Sequence, residues 1–189
     1  MTAKQSTMET ENQDHRVCPH TIACMLDNPF RRLVQSPSRI VGPYIQPGDT
    51  AVDLGCGPGF FTIAMARLVG AKGRVIAVDL QPQMLAHVRR KALKRSVMDR
   101  IELHQCGSES LGVTSEADFI LAFYMVHEVP DAASFFKETR TILKKGGRLL
   151  IVEPRFHVKK AAFDAMIALA IQKGFTVVDR KGGRRVLLT

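Results

Sequence analysis

The chain has 189 residues, a formal net charge of +9, and 46% hydrophobic but only 6% aromatic residues. That length favours one domain with a substantial core. No run approaches the ~18 apolar residues of a membrane span, so no membrane partner is expected, and the polar start MTAKQSTMETENQDH lacks the apolar stretch of a secretion signal, which makes a cytoplasmic protein the expectation.

In chain order, residues 1–15 read as a disordered polar tail. Residues 16–45 read as a helical lid segment, and residues 46–189 as the main domain. TAVDL (Thr50 to Leu54) is a strand rich in β-branched residues. PGFFTIAMARLVG then places Phe61, Ala64, Met65 and Leu68 at helical spacing, ending at Gly70. RVIAVDL (Arg74 to Leu80) is a second strand, and QPQMLAHVRRKALKR a helix with Pro82 in its first turn. RIELHQ (Arg100 to Gln105) and ADFILAFYM (Ala117 to Met125) are the third and fourth strands. DAASFFKETRTILKK reads as a helix stopped by Gly146 and Gly147, and RLLIVEP (Arg148 to Pro154) as the fifth strand. A helix capped by Gly174 follows, then a closing hairpin in FTVVDRKGGRRVLLT. Alternating strands and helices imply a mainly parallel sheet covered on both faces, with ligands beyond the carboxyl ends of the strands.

The chemistry concentrates in VDLGCGPGFF, Val52 to Phe61. Gly55, Gly57 and Gly59 let the backbone turn sharply and approach a ligand closely. A dinucleotide pyrophosphate suits such a turn, and so does the amino-acid end of S-adenosylmethionine. The dinucleotide pattern G-x-G-x-x-G would need a third glycine where Phe60 stands. The acid before the turn also discriminates, because Asp53 would repel a phosphate and attract an ammonium group. Asp79 ends the second strand, where a carboxylate can accept from both ribose hydroxyls, a feature common to both cofactors. Leu80 and Met84 are placed to flank an adenine.

These residues resemble the class I S-adenosylmethionine-dependent methyltransferases. The resemblance runs from about Tyr44 to Thr189 and rests on VDLGCGPGFF, VIAVDLQPQML, ADFILAFYMVHEVPD and LKKGGRLLIVEP. It implies a Rossmann-like three-layer α/β sandwich with a seven-stranded, mainly parallel sheet whose last strand is antiparallel. It implies S-adenosyl-L-methionine as cofactor, held by Asp53, Gly55, Cys56, Gly57, Asp79, Leu80, Met84, Cys106, Gly107, Ser108 and Ala122. One block departs from the family: many members carry Gly-Asp-Ala after the third strand, and Cys106, Gly107 and Ser108 stand here. Backbone groups or Ser108 then take the adenine contact.

Methyl transfer from a sulfonium is an in-line displacement, and the family has no universal catalytic residue, so none is assigned. His127 reads either as a base for a hydroxyl or thiol, or as a loop residue that packs or caps the next helix. Glu153 either lines the pocket or is a cap. His15, Cys18, His20 and Cys24 offer soft donors, but H-x2-C-x-H-x3-C is not a familiar zinc spacing, and no metal is expected. The scattered cysteines, with Cys56 and Cys106 beside the cofactor, read as reduced thiols rather than an arsenite site.

The leading reading is methyl transfer to a small molecule under a lid, with Asp27 to Tyr44 closing it and Tyr44 near the methionyl end. The alternatives are an RNA methyltransferase using the basic runs RRKALKR and RKGGRR, and a non-catalytic cofactor-binding partner subunit. With no Trp and two Tyr, the chain shows no base-stacking platform. Oligomeric state is not readable.

Overall fold

The computed structural model describes residues 35–189 except Lys181. A short helix α1 (Pro37–Val41) and a 3-10 turn (Gly42–Tyr44) lead into strand β1 (Thr50–Leu54). Then follow α2 (Thr62–Leu68), β2 (Arg74–Asp79), α3 (Pro82–Lys94), β3 (Ile101–Gln105), β4 (Ala117–Phe123), α4 (Ala132–Ile142), β5 (Leu143–Val152), α5 (Lys160–Gln172), β6 (Val177–Asp179) and β7 (Arg185–Leu188). They form one seven-stranded sheet of order β3-β2-β1-β4-β5-β7-β6. All pairings from β3 to β5 are parallel, and β7 lies antiparallel between β5 and β6. The order reverses at β1, so the switch point falls between β1 and β4, where ligands sit in open sheets of this kind.

The strands alternate in register with their two cores. Ala51, Val75, Ala77, Phe119, Leu121 and Leu150 pack with Met65, Leu85 and Val88 of α2 and α3. Val52, Leu54, Ile76, Val78, Ile120, Leu149 and Ile151 pack with Phe135, Phe136, Phe163 and Ile167 of α4 and α5. This period of two makes the central strands β1, β2 and β4 near-continuous apolar runs, as a sheet buried on both faces requires, while the edge strand β3 is partly exposed. It also turns Asp53 and Asp79 toward the α2–α3 face, at the carboxyl edge.

Two expectations shift. Gly146 and Gly147 do not stop α4, which ends at Ile142; they lie inside β5, where the pairing with β4 slips between Ala117 and Phe119. Gly146 has φ +80°, and a Cβ on Gly147 would lie 3.0 Å from the Ala117 carbonyl, so the pair makes a bulge that only glycine fits. Tyr44 stacks on Phe119 with ring centroids 6.0 Å apart and accepts a hydrogen bond from Arg185 at 2.8 Å, which fixes it on the sheet face, outside the wall of the cavity described below. The expected tail and most of the lid, residues 1–34, lie outside the described residues.

Candidate functional site

The chain leaves β1 through a turn that keeps Phe60 and Phe61 buried and starts α2 only at Thr62. Gly55, Gly57 and Gly59 have φ values of +64°, +51° and +84°, the left-handed region that favours glycine. Cys56 N–H donates to the Val78 carbonyl at 2.9 Å, which ties the turn to the end of β2. Lys91 of α3 donates to the Pro58 carbonyl at 2.6 Å. One member of the basic run RRKALKR is therefore a tether for the turn.

Each glycine answers a different demand. A Cβ on Gly55 would lie 2.9 Å from Met125 Cβ, and one on Gly59 would lie 3.1 Å from Val88 Cγ2, so both allow close packing of protein on protein. A Cβ on Gly57 would meet nothing within 4 Å. Its backbone lines open space instead.

Two carboxylates stand at this turn. Asp53 is 2% exposed, and the Thr62 hydroxyl donates to its Oδ2 at 2.6 Å. Burial pushes its carboxyl up to about 7; the Thr62 hydrogen bond opposes this, and the charge of Asp79 adds to it. Asp79 accepts from Gly57 N–H at 2.8 Å and from Gln81 N–H at 2.9 Å, so it joins the glycine turn to the start of α3. Burial raises its carboxyl too, against those backbone donors.

Above the turn lies a cavity of about 780 Å3, within the range of small-ligand sites. Its apolar wall includes Phe60, Phe61, Met84, Phe123, Met125 and Phe135. Tyr124 joins this wall in a left-handed conformation, φ 60°, where β4 ends. Such a conformation is costly for a bulky residue and tends to occur at functional sites. The charged residues of the wall, among those described, are Asp53, Asp79, Glu109, Glu128, Asp131 and Glu138, all acids. In a chain of net charge +9, the cavity is an acidic enclave.

Residues 45–179 match the family described as a methyltransferase domain. The chain belongs to that family. A demethylmenaquinone methyltransferase of Lactobacillus johnsonii is 34% identical over 110 residues, 58% of this chain and 45% of its own. A ubiquinone/menaquinone biosynthesis C-methyltransferase UbiE of Klebsiella pneumoniae is 31% identical over 142 residues, 73% of this chain and 57% of its own. The chain thus spans about half the length of these curated relatives. A SAM-dependent methyltransferase from Aquifex aeolicus shares the fold at a TM-score of 0.78 and 20% identity, over 89% of this chain and 95% of its own.

In this methyltransferase domain the cavity wall brings together Asp53, Gly55, Cys56, Gly57, Asp79, Leu80, Met84, Cys106, Gly107 and Ser108 from the expected set. Ala122 stays outside. It shares its face of β4 with Ile120, in the core under α4 and α5, and Phe123 and Tyr124 reach the wall instead. Burial pushes the Cys56 thiol well up and raises Cys106, so both favour the protonated form. His127 is not part of the wall. Its Nδ1 lies 2.5 Å from Oε2 of Glu153, whose Oε1 accepts from Val126 N–H at 2.9 Å and His127 N–H at 3.3 Å. The pair therefore clips the loop after β4 to the end of β5, which is the packing role. The Glu153 hydrogen bond raises the His127 pKa, against partial burial of the ring.

Tyr124 and Glu128, which the sequence places near the expected mouth, are in the wall; the wall acids Glu109, Asp131 and Glu138 escaped the reading of the sequence. Asp131 caps α4, accepting from Ala133 and Ser134 N–H at 2.9 and 3.1 Å. Glu138 accepts from Leu111 N–H at 2.8 Å and holds the loop after β3 against α4. The cap signal was visible in D-A-A-S; the convergence on one cavity was not. His15, Cys18, His20 and Cys24 lie outside the described residues. Among the described residues no group of three metal-type donors converges.

Proposed function

We propose that this chain transfers the methyl group of S-adenosyl-L-methionine to a small, largely apolar acceptor. The observation that carries the reading is the sign of the cavity. A pyrophosphate in this cavity would meet a partly desolvated wall whose charged residues, among those described, are all acids, and like charges repel strongly there. A cofactor bearing an ammonium and a sulfonium meets the opposite sign. The open space over Gly57, next to the buried Asp53, fits such a cation.

On this reading Asp53 and the Gly55–Gly57 backbone hold the amino-acid end, and Asp79 holds the ribose. Leu80, Met84 and the Cys106–Ser108 turn hold the adenine. When bound, S-adenosyl-L-methionine supplies an electrophilic methyl group on a sulfonium, with a neutral thioether as leaving group. The chain's own task is alignment and exclusion of water. Phe60, Phe61, Phe123 and Tyr124 suit an apolar ring as acceptor. The quinone-pathway names of the curated relatives agree with that class.

The test incubates the protein with methyl-tritiated S-adenosylmethionine and cell extract, then separates lipid-soluble, small polar, RNA and protein fractions. Label in the lipid-soluble fraction is expected. Label in RNA, or tighter binding of NAD than of S-adenosylhomocysteine, overturns the reading.

A further inference from the structure

Beyond the carboxyl end of β5 the chain makes a tight turn, closed by N–H donation from His157 and Val158 to the Pro154 carbonyl at 3.1 and 2.8 Å. Val158 is buried beneath it, and Phe156 at its tip is 91% exposed, the most exposed large hydrophobic among the described residues. The β6–β7 turn lies against it. Arg184 Nε donates to the Val158 carbonyl at 3.0 Å, and Glu153 N–H donates to the Arg184 carbonyl at 2.7 Å. A Cβ on Gly183 would lie 3.3 Å from Arg155 Cδ, so the Arg155 side chain packs beside this turn. The two turns form one stapled platform.

Its charge is lopsided. Arg155, Lys159, Lys160, Arg180 and Arg184 stand against Asp164, Asp179 and the buried Glu153, while Arg185 is held by Tyr44. Lys160 and Arg180 both pair with Asp164. Arg155 and Lys159 are exposed on either side of Phe156. An exposed aromatic ring among cations is the composition of a membrane-interface contact.

We propose that this platform docks on an anionic lipid bilayer, with Phe156 entering the interface and the basic residues meeting phosphate headgroups. Charge sorting favours a bilayer over RNA. A polyanion drawn to the platform would have to continue into the acid-lined cavity to be modified, whereas a bilayer only has to touch the rim. The platform lies on the sheet edge that holds the cavity. The His157 ring is 4.9 Å from that of His127, whose neighbour Glu128 is in the cavity wall. Such docking would place the mouth near apolar molecules dissolved in the bilayer. The expectation of no membrane partner rested on the lack of a span, and a peripheral contact needs none. Docking does not depend on the methyl-transfer reading.

The test is co-sedimentation with vesicles of phosphatidylcholine and phosphatidylglycerol at about 2:1, against pure phosphatidylcholine, in about 0.1 and about 0.5 M salt. The full chain should bind only the anionic vesicles and release at the higher salt. Phe156→Ser should weaken binding on the order of tenfold, and the double change Arg155→Gln with Lys159→Gln about 20-fold. All of these positions are at the surface, and an unchanged melting temperature shows that the fold is kept. Equal binding to neutral vesicles, no binding to either kind, or variants that bind like the parent chain overturn the proposal. So does RNA that displaces the vesicles and loses affinity in the same variants, which would assign the platform to nucleic acid.

Discussion

Asp79→Ala separates two roles of one carboxylate. In the fold its two oxygens accept from Gly57 and Gln81 N–H at 2.8 and 2.9 Å. A carboxylate offers about four lone-pair sites, so about two stay available for a ribose diol. Hydrogen bonds to a charged acceptor contribute about 1.5–3 kcal/mol each, less when another donor already shares the oxygen. The expected loss is therefore about 2–3 kcal/mol, or roughly 30- to 150-fold in the Kd for S-adenosylhomocysteine by titration calorimetry. The substitution also leaves two backbone N–H groups of the turn without their acceptor. That should lower fold stability by about 2 kcal/mol, a few degrees in Tm for a chain of this size. A ligand lacking the ribose hydroxyls tells the two effects apart. The parent chain should lose most of its affinity for that analogue, while the Ala variant should bind both ligands alike. A variant that keeps the parent's affinity, or still prefers the hydroxylated ligand, refutes the ribose role.

Gly57→Ala and Gly55→Ala should diverge. The first adds a methyl group into open cavity space, so affinity for S-adenosylhomocysteine should fall more than tenfold, with about 1–2 kcal/mol of backbone strain; the second pushes into Met125 and should mainly lower Tm, as thermal melts with and without ligand will show. Asp53 binds its proton more tightly folded, at about 7, than at its ordinary 3.8. Its contribution to stability is therefore highest below about pH 4 and falls as pH rises toward 7, by at most about 4 kcal/mol. Urea titrations across that range should show the slope in the parent chain and a flatter one in Asp53→Asn. Glu153→Ala removes the buried acceptor of three donors and should cost about 2–4 kcal/mol, read as a shift in urea midpoint. The raised pKa of His127 has the opposite sign to a depressed acid: its stabilisation is full below about 6.5 and lost as pH rises through the raised value. Glu153→Gln should remove that pH dependence.

Much of the fold was legible because the central parallel strands β1, β2 and β4 are buried on both faces and read as nearly unbroken apolar runs, while the edge strand β3 shows its exposure as alternation. The same logic makes the strand ends visible: Asp53 and Asp79 interrupt such runs at the edge where ligands bind. Local signals failed where a tertiary contact decided the outcome. Gly146 and Gly147 carry the composition of a helix stop, yet Leu143 already pairs with Ala117, and the glycines absorb the slip in register. Ala122 sits one residue from the wall, and the period of two along β4 points it to the opposite core.

Net charge is where the sequence misleads most. A chain of +9 invites a polyanion, and the basic run at Arg89–Arg95 looks like the place for one. In the fold, Lys91 of that run holds the glycine turn. The charged residues of the cavity wall, among those described, are acids drawn from five separate stretches: β1, β2, and the segments around Glu109, Glu128 to Asp131, and Glu138. No window of the sequence shows an acidic cluster, because each stretch contributes one or two carboxylates. Long-range steering follows the summed surface charge, while binding in a desolvated cavity follows the nearest groups, since Coulomb energy rises as distance and dielectric fall. The two carry opposite signs in one molecule: a net positive charge over the whole chain, and acids alone as the charged groups of the cavity wall among the described residues.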